Sequence, residues 1–475
     1  MMSSAPPTPS PHHAAPRHPD DHSTRGGRLA LTVLAVAQAM LVLDVTVVNV
    51  ALPMLSHELD LPAATAGWAI AAYAVPFGGL LILGGRIADL FGTRRVLLIG
   101  LGLFTIASLA AGLAADSTTF LIARGAQGVA AALMSPAALA ALLHRFTGPA
   151  RHRALAVWGA VGGAGAAFGV LLGGLLAGGP GWRWIFIVNV PVGIALAIAL
   201  PLVLGVATVV RANAPRRLDV TGALLATAAI ASLVSAISIG ASAGPIIGIA
   251  LAVLGVALLA AFVLVERRSQ VPLVRLGLLT SRPVASGSSL MFVATALLVG
   301  GFFLFSFQLQ SVAGWSPIAT GLAFLPISVA VIVGSHLAGR LVGRVGARRI
   351  APIALLLASG GLAVAAVAIA ISDSEVPALA GMTLAAAGLG AAFVCASTTA
   401  LSNVDDHEAG TASGVLNSFH ELGAAIGVAA LGAIAASGIG VGFTAAAVMA
   451  LLAALAAAAA LPSGVPAPRA ARFVH

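Results

Sequence analysis

Asp44 lies in the stretch LVLDVTVVNVALP (41–53) and is the only ionisable residue between Arg28 and His57. A carboxylate in an apolar run this long costs several kcal/mol unless it is paired, hydrated or protonated. Arg124, in FLIARGAQG (120–128), is placed to pair with it, and Gln127 follows one turn later. Counted from the outer ends of their segments, Asp44 is about 12 Å deep and Arg124 about 8 Å deep, at 1.5 Å per helical residue. Burial disfavours the charged form of Asp44 and the guanidinium favours it. A group held between those two effects can take up and release a proton as water access changes. The same pair would also serve as a static lock between two helices.

Glu421, in NSFHELGAAIG (417–427) and beside His420, is a second candidate. It stands about twelve residues in from an inner loop. It is either a buried functional acid or, if its helix projects beyond the bilayer, a near-surface one. The loop GRIADLFGTRR (85–95) is a candidate cytoplasmic gate. Gly85 and Gly92 permit a tight turn, Asp89 can cap or pair with a helix end, and Arg94 and Arg95 anchor the cytoplasmic side. Gly165, Gly169, Gly173 and Gly174 form a ridge for close helix approach. The polar residues available to a substrate cavity are few: Gln38, Asn49, Gln127, Asn189, Gln308, Gln310 and Asn417.

Nothing points to an enzyme or a metal centre. All 24 Lys+Arg residues are arginine, which excludes a Walker A lysine. The one cysteine, Cys395, is in an apolar segment and can form no intramolecular disulfide. His12, His13, His18 and His22 fall in a Pro/Ser-rich stretch that reads as a solvated tail. No cofactor is expected. The basic balance comes from arginines at the ends of apolar segments, not from a nucleic-acid surface.

These residues need a membrane-spanning scaffold. Hydrophobic residues make up 60% of the 475 and charged residues 8%, far from the quarter charged that soluble domains carry. At about 20 apolar residues per span, the chain reads as fourteen transmembrane helices. They cover roughly 29–52, 66–88, 96–115, 119–143, 154–177, 184–207, 219–240, 245–265, 284–309, 317–338, 350–371, 376–400, 412–436 and 440–461. Alternate connections are arginine-rich, which puts both termini in the cytoplasm. Trp182 and Trp184 should mark the outer interface.

The chain also repeats. GRIADLFGTRR recurs as GRLVGRVGARR (339–349), and GAAFGV (165–170) as GAAIGV (423–428), at offsets of 254 and 258. Two six-helix halves are therefore expected, 28–207 and 283–461. Two inserted helices (208–265) and a cytoplasmic linker (266–282) separate them, with tails at 1–27, disordered and cytoplasmic, and 462–475. Parallel halves of this kind indicate a secondary transporter with its site between them.

The motifs LDVTVVNVALP, GRIADLFGTRR, ARGAQG, WRWIFIVNVPVG, GLAFLPIS and AGTASGVLNSFHELGAAIG together resemble the major facilitator superfamily. They most resemble its fourteen-helix drug/proton antiporter branch, over nearly the whole chain after the tail. The resemblance implies an all-α polytopic fold in the cell membrane and proton-coupled export of lipophilic or cationic drugs or an antibiotic by alternating access. It implies proton coupling through Asp44 and Arg124, and gating through Asp89 and the loop arginines; Glu421 is not part of the family motif and is a proton-coupling candidate on its own position in the sequence. A monomer is expected. One departure is Val170, where the branch's helix 5 motif has proline. Another is His420-Glu421, where it has Arg-Gln. A transporter of one small metabolite, possibly an importer, is the alternative reading.

Overall fold

The computed structural model describes residues 25–61, 65–204, 218–270, 272–402, 404 and 408–462. The two tails, from which the four N-terminal histidines come, lie largely outside them. Among the described residues, thirteen helices are long and apolar enough to cross a membrane, and no β-strand occurs.

The first half comprises α1 (Arg25–Glu58), α2 (Trp68–Phe91), α3 (Thr93–Gly112), α4 (Ser117–Arg145), α5 (Gly148–Gly178), the short α6 (Trp184–Ile187) and α7 (Asn189–Leu204). An inserted hairpin follows, α8 (Val220–Ala243) and α9 (Pro245–Arg268). The short α10 (Leu276–Thr280) sits in the linker. The second half is α11 (Arg282–Phe307), α12 (Pro317–Val345), α13 (Ala347–Ile371), α14 (Val376–Leu401), α15 (Ala409–Ala435) and α16 (Ile439–Ala460). A π-helical turn, Gln308–Val312, ends α11.

The repeat seen in the sequence is a repeat in packing. α1 packs on α5 as α11 packs on α15, α2 on α4 as α12 on α14, and α3 on α4 and α7 as α13 on α14 and α16. Contacts between halves obey the same exchange: α5 meets α12, and α15 meets α2. The repeated loop has one backbone solution in both copies. Gly92 and Gly346 take φ of 91° and 85°, each ending one helix and starting the next. A Cβ is disfavoured at that φ, so glycine is needed here for the turn itself.

Side chains explain why the helices seat as they do. Outward positions are apolar and exposed, as at Ile106, Ile122, Leu202 and Ile371, which suits lipid contact. The first half has its own core around Leu34, Leu97, Phe104 and Met134. At the N-terminal end of α4, Asp116 caps the helix by accepting from the Thr119 amide, which holds its carboxyl below the usual range. The hairpin α8–α9 is seated asymmetrically. Val234 of α8 packs among Ala71, Ala74 and Val75 of α2 and Ala425 and Ala429 of α15, whereas α9 exposes Ile246, Val253 and Val256.

Two sequence expectations change. Trp182 does not lie in an interfacial belt: it is 1% exposed, edge-on to Phe120 and Phe186, and its Nε1 donates to Glu58 at 2.5 Å. Glu58 also pairs with Arg183, so this corner is a packed polar-aromatic joint. Trp184, in contrast, is exposed. The other change concerns the last segment of the first half, which breaks at Val188 into α6 and α7. That break sets Asn189 at the start of a helix, where it turns inward.

Candidate functional site

The site is built by α1, α2, α3, α4 and α7 of the first half. α2 and α4 approach closely because Gly128 carries no side chain: a Cβ there would sit 2.3 Å from the Tyr73 carbonyl oxygen. That approach brings Arg124 onto α2. Its Nε donates to the Ala69 carbonyl at 3.1 Å, and its guanidinium lies 4.6 Å from the Tyr73 ring centroid and 5.6 Å from that of Phe186. Such cation–aromatic contacts strengthen when desolvated, and Arg124 is 1% exposed.

Asp44 of α1 closes the cluster. Arg124 Nη1 donates to Asp44 Oδ2 at 2.5 Å and to Gln127 Oε1 at 2.9 Å. Gln127 Nε2 donates to Asp44 Oδ1 at 3.0 Å and to Ser108 Oγ of α3 at 2.8 Å. Asn189 Nδ2 of α7 donates to Asp44 Oδ1 at 3.1 Å and approaches Ser108 Oγ at 3.5 Å. Both oxygens of the carboxylate are thus satisfied, and every polar member of the group is buried. Charge-assisted bonds of this kind are the strong ones, and a buried pair holds only when the remaining lone pairs and protons also find partners. Asp44 points into its own half. The neighbouring face of α1 carries Val42, Thr46 and Val47, against which Gly165, Gly169 and Gly173 of α5 pack. The fourth glycine of that ridge, Gly174, meets Gly321 of α12 in the other half.

Glu421 is placed elsewhere. It is 8% exposed on α15, twelve residues past the helix start, and it faces α2: a Cβ on Gly78 would lie 2.8 Å from its own Cβ. Its Oε1 is 3.3 Å from His420 Nδ1, and its Oε2 has no hydrogen-bond partner. Asn417, one turn earlier, is exposed. Gln308 is tied to the N-terminal end of α14, donating to Glu375 Oε1 at 2.8 Å. Gln310 donates across the halves to the Val50 carbonyl at 2.7 Å. Asn49 bonds its own helix at Val45, and Gln38 is partly buried with an unpartnered Oε1. These polar residues are spread over the whole molecule and form no single cluster.

At the repeated loop, Asp89 is partly buried and makes no hydrogen bond or ion pair among the described residues. Arg95 is exposed and Arg94 partly buried. The sequence reading passed over Arg86. Its guanidinium donates to the carbonyls of Pro272 and of Leu273, the latter at 3.1 Å, and so ties α2 to the linker. The reading also missed Ser108 and Tyr73. A lone serine and a lone tyrosine in apolar helices carry no charge signal. The one hint was that both fall in segments adjacent to those of Asp44 and Arg124.

Fold and site together define a polytopic secondary transporter of two repeated helical halves, with one buried ion pair in the first. The chain belongs to the Major Facilitator Superfamily, whose model matches residues 34–428. It is 40% identical over 414 residues to the puromycin resistance protein pur8 of Streptomyces alboniger, covering 85% of this chain and 81% of that one. It is 34% identical over 421 residues to the tetracenomycin C resistance and export protein of Streptomyces glaucescens, covering 87% and 77%. Its fold matches a solved bacterial homologue of the human lysosomal transporter Spinster, in an inward-facing and occupied conformation. The TM-score is 0.67 at 16% identity, over 92% of this chain and 98% of that one. The protein is a multi-pass membrane transporter.

Proposed function

We propose that the chain is a proton-driven exporter of amphipathic drugs or an antibiotic, working by alternating access in the plasma membrane. The observation that carries this reading is the enclosed cluster of Asp44, Arg124, Gln127, Asn189 and Ser108. Protonating Asp44 removes the counter-charge of Arg124 and leaves a buried cation on dipoles and an aromatic face alone. That imbalance favours a rearrangement of the helices around it, which is what coupling a proton to a conformational cycle requires. The names of the resistance and export relatives support the choice of drug as cargo and outward as direction.

The proposal includes fourteen spans, with α5 as the fourteenth and both termini cytoplasmic. It keeps the division into halves at 28–207 and 283–461, an inserted hairpin within 208–265, the linker 266–282 and cytoplasmic tails. Asp89, Arg94 and Arg95, with Gly85 and Gly92, form the cytoplasmic gate, and Glu421 is a second proton-handling acid. Gln38 and Asn417, whose side chains are not committed to another residue, are the first candidates to contact cargo. Gln127, Asn189 and Gln308 are weaker ones because their bonds are taken up within the protein, and Asn49 because it is buried with its Nδ2 bonded to the Val45 carbonyl. The working unit is a monomer.

The test is transport in proteoliposomes loaded with a fluorescent lipophilic cation. An imposed proton gradient should drive the dye out of the compartment equivalent to the cytoplasm, with protons moving the opposite way. Movement of dye and protons in the same direction would favour the importer reading. Dye movement that ignores the gradient would remove proton coupling.

A further inference from the structure

The linker between the inserted hairpin and the second half is gripped at a single residue by two helices. Glu266, buried near the C-terminal end of α9, accepts from the Leu273 amide at 3.1 Å. Arg86, near the C-terminal end of α2, donates to the Leu273 carbonyl at 3.1 Å and also to that of Pro272. The two side chains thus hold the N–H and the C=O of the same residue. That grip seats two apolar side chains. Leu273 and Val274 are buried in a cluster with Leu83 of α2, Ala223 of α8, Val284 of α11, and Ala412 and Val415 of α15. These helices belong to the first half, the insert and the second half, so the linker plugs a junction of all three. The α2–α15 seam passes the same junction: a Cβ on Gly414 would lie 3.2 Å from Ile82 Cγ1. The second half makes a different polar contact. Arg275 Nη1 pairs at 3.0 Å with Glu408, which caps the start of α15, and their side chains are 72% and 26% exposed. An exposed pair of this kind contributes little, whereas hydrogen bonds to ionisable groups held out of water are stronger. The polar contacts therefore bind the linker more firmly to α2 and α9 than to α15.

We propose that residues 272–275 are a strap that closes this end of the interface between the halves and stays with α2 and α9 when the seam with α15 opens. Arg86 and Glu266 are its positioning residues. The proposal rests on the alternating-access reading and deepens it. In such a cycle the halves part at this end, and a plug seated between them has to remain with one side. The grip on Leu273 selects α2 and α9. Parting then breaks the exposed Arg275–Glu408 pair and uncovers Val415, while the held strap is ready to reseat on closure. The inserted hairpin gains a task in the cycle, since α9 supplies one of the two jaws. A linker that only joined two halves would run over the surface, with no need to bury Leu273 and Val274 to 2% and 4% exposure.

The chain has one cysteine, the buried Cys395, so a single introduced thiol can report on the seam. On a Cys395→Ala background of the full chain, Val415→Cys places that thiol under the strap. A membrane-impermeant maleimide should modify it slowly in this parent. Labelling should be severalfold faster in Glu266→Ala and in Arg86→Ala, because a strap freed from one jaw leaves its seat more often. Glu266→Gln keeps an acceptor for the Leu273 amide and should label at the parent rate. Equal rates in all four proteins overturn the grip. The measurement needs neither drug nor proton gradient, so it is decided separately from the exporter reading. A second experiment asks which side lets go, and it decides the proposal if the alanine variants do not fold. Arg275→Cys with Glu408→Cys, joined by a disulfide on the same background, should stop export, and reduction should restore it. Undiminished export by the cross-linked protein overturns release from α15.

Discussion

The two halves share a packing plan and differ in what they bury. In the first, α1, α3, α4 and α7 deliver Asp44, Ser108, Arg124 with Gln127, and Asn189 to one point. Their partners in the repeat, α11, α13, α14 and α16, bury no acidic or basic residue among the described ones; their buried side chains include Leu297, Leu362, Met382, Leu389, Cys395 and Phe443. Among the described residues, the second half's one buried charge, Glu421, sits on α15 and faces the other half. The two halves thus share a scaffold and differ in their chemistry. One half holds a closed polar cluster, and the other presents a half-satisfied acid at the seam.

The comparison can be broken most severely at Arg124. Arg124→Ala should strip Asp44 of its counter-charge and cost about 3–5 kcal/mol, the range for removing one partner of a buried pair. Thermal unfolding in detergent should show it. Arg124→Lys keeps the charge but not the fork that reaches Asp44, Gln127 and Ala69 together, so export should fall while the protein remains folded.

The seams between the halves give a smaller effect. A Cβ on Gly174 would lie 2.7 Å from the Pro317 carbonyl, so Gly174→Val should cost about 1–3 kcal/mol by overpacking. Gly78→Val should cost a similar amount at the matching seam with α15. Unequal losses in melting temperature would show that the two seams are not equivalent.

Glu421→Gln sharpens the contrast between acids. It preserves shape and removes a charge, so stability should change little, while the pH profile of export should shift. A shift in stability with no change in that profile would make Glu421 a structural residue. The smallest effect is expected at the repeated turn. Gly92→Ala and Gly346→Ala each force a Cβ into positive φ and should cost about 1 kcal/mol or more, equally in the two copies. A loss of export with Gly92→Ala alone would assign the gate to the copy that carries Asp89.

Much of the scaffold was legible in the sequence because lipid imposes a simple rule. Apolar runs of spanning length gave helices whose ends fall within a few residues of α1 to α16, with the larger misses on long helices such as α5 and α12 that continue past the apolar run. The matched loops at 85–95 and 339–349 exposed the repeat because the positive-φ turn demands glycine in both copies. Asp44 and Arg124 could be matched by depth along antiparallel helices. Depth does not give rotation about the helix axis, so the sequence could not show that Asp44 turns into its own half. Nor could it show that Gln308 turns to Glu375. Trp182 was misread because an aromatic at a segment end looks the same whether it meets lipid or packs on Phe120. Arg86 was invisible as a tether because an arginine in a basic loop already has a sufficient reason to be there.

The central claim is that the buried carboxylate of the first half carries the proton. Asp44→Asn is nearly isosteric and keeps acceptor capacity toward Arg124, so the variant should fold. Proton release on addition of drug, measured on purified protein and followed by gradient-driven efflux in proteoliposomes, tests the claim most directly. The account predicts that Asp44→Asn still binds drug but loses both the release and the efflux. Parental proton release and efflux in a folded Asp44→Asn protein would contradict it.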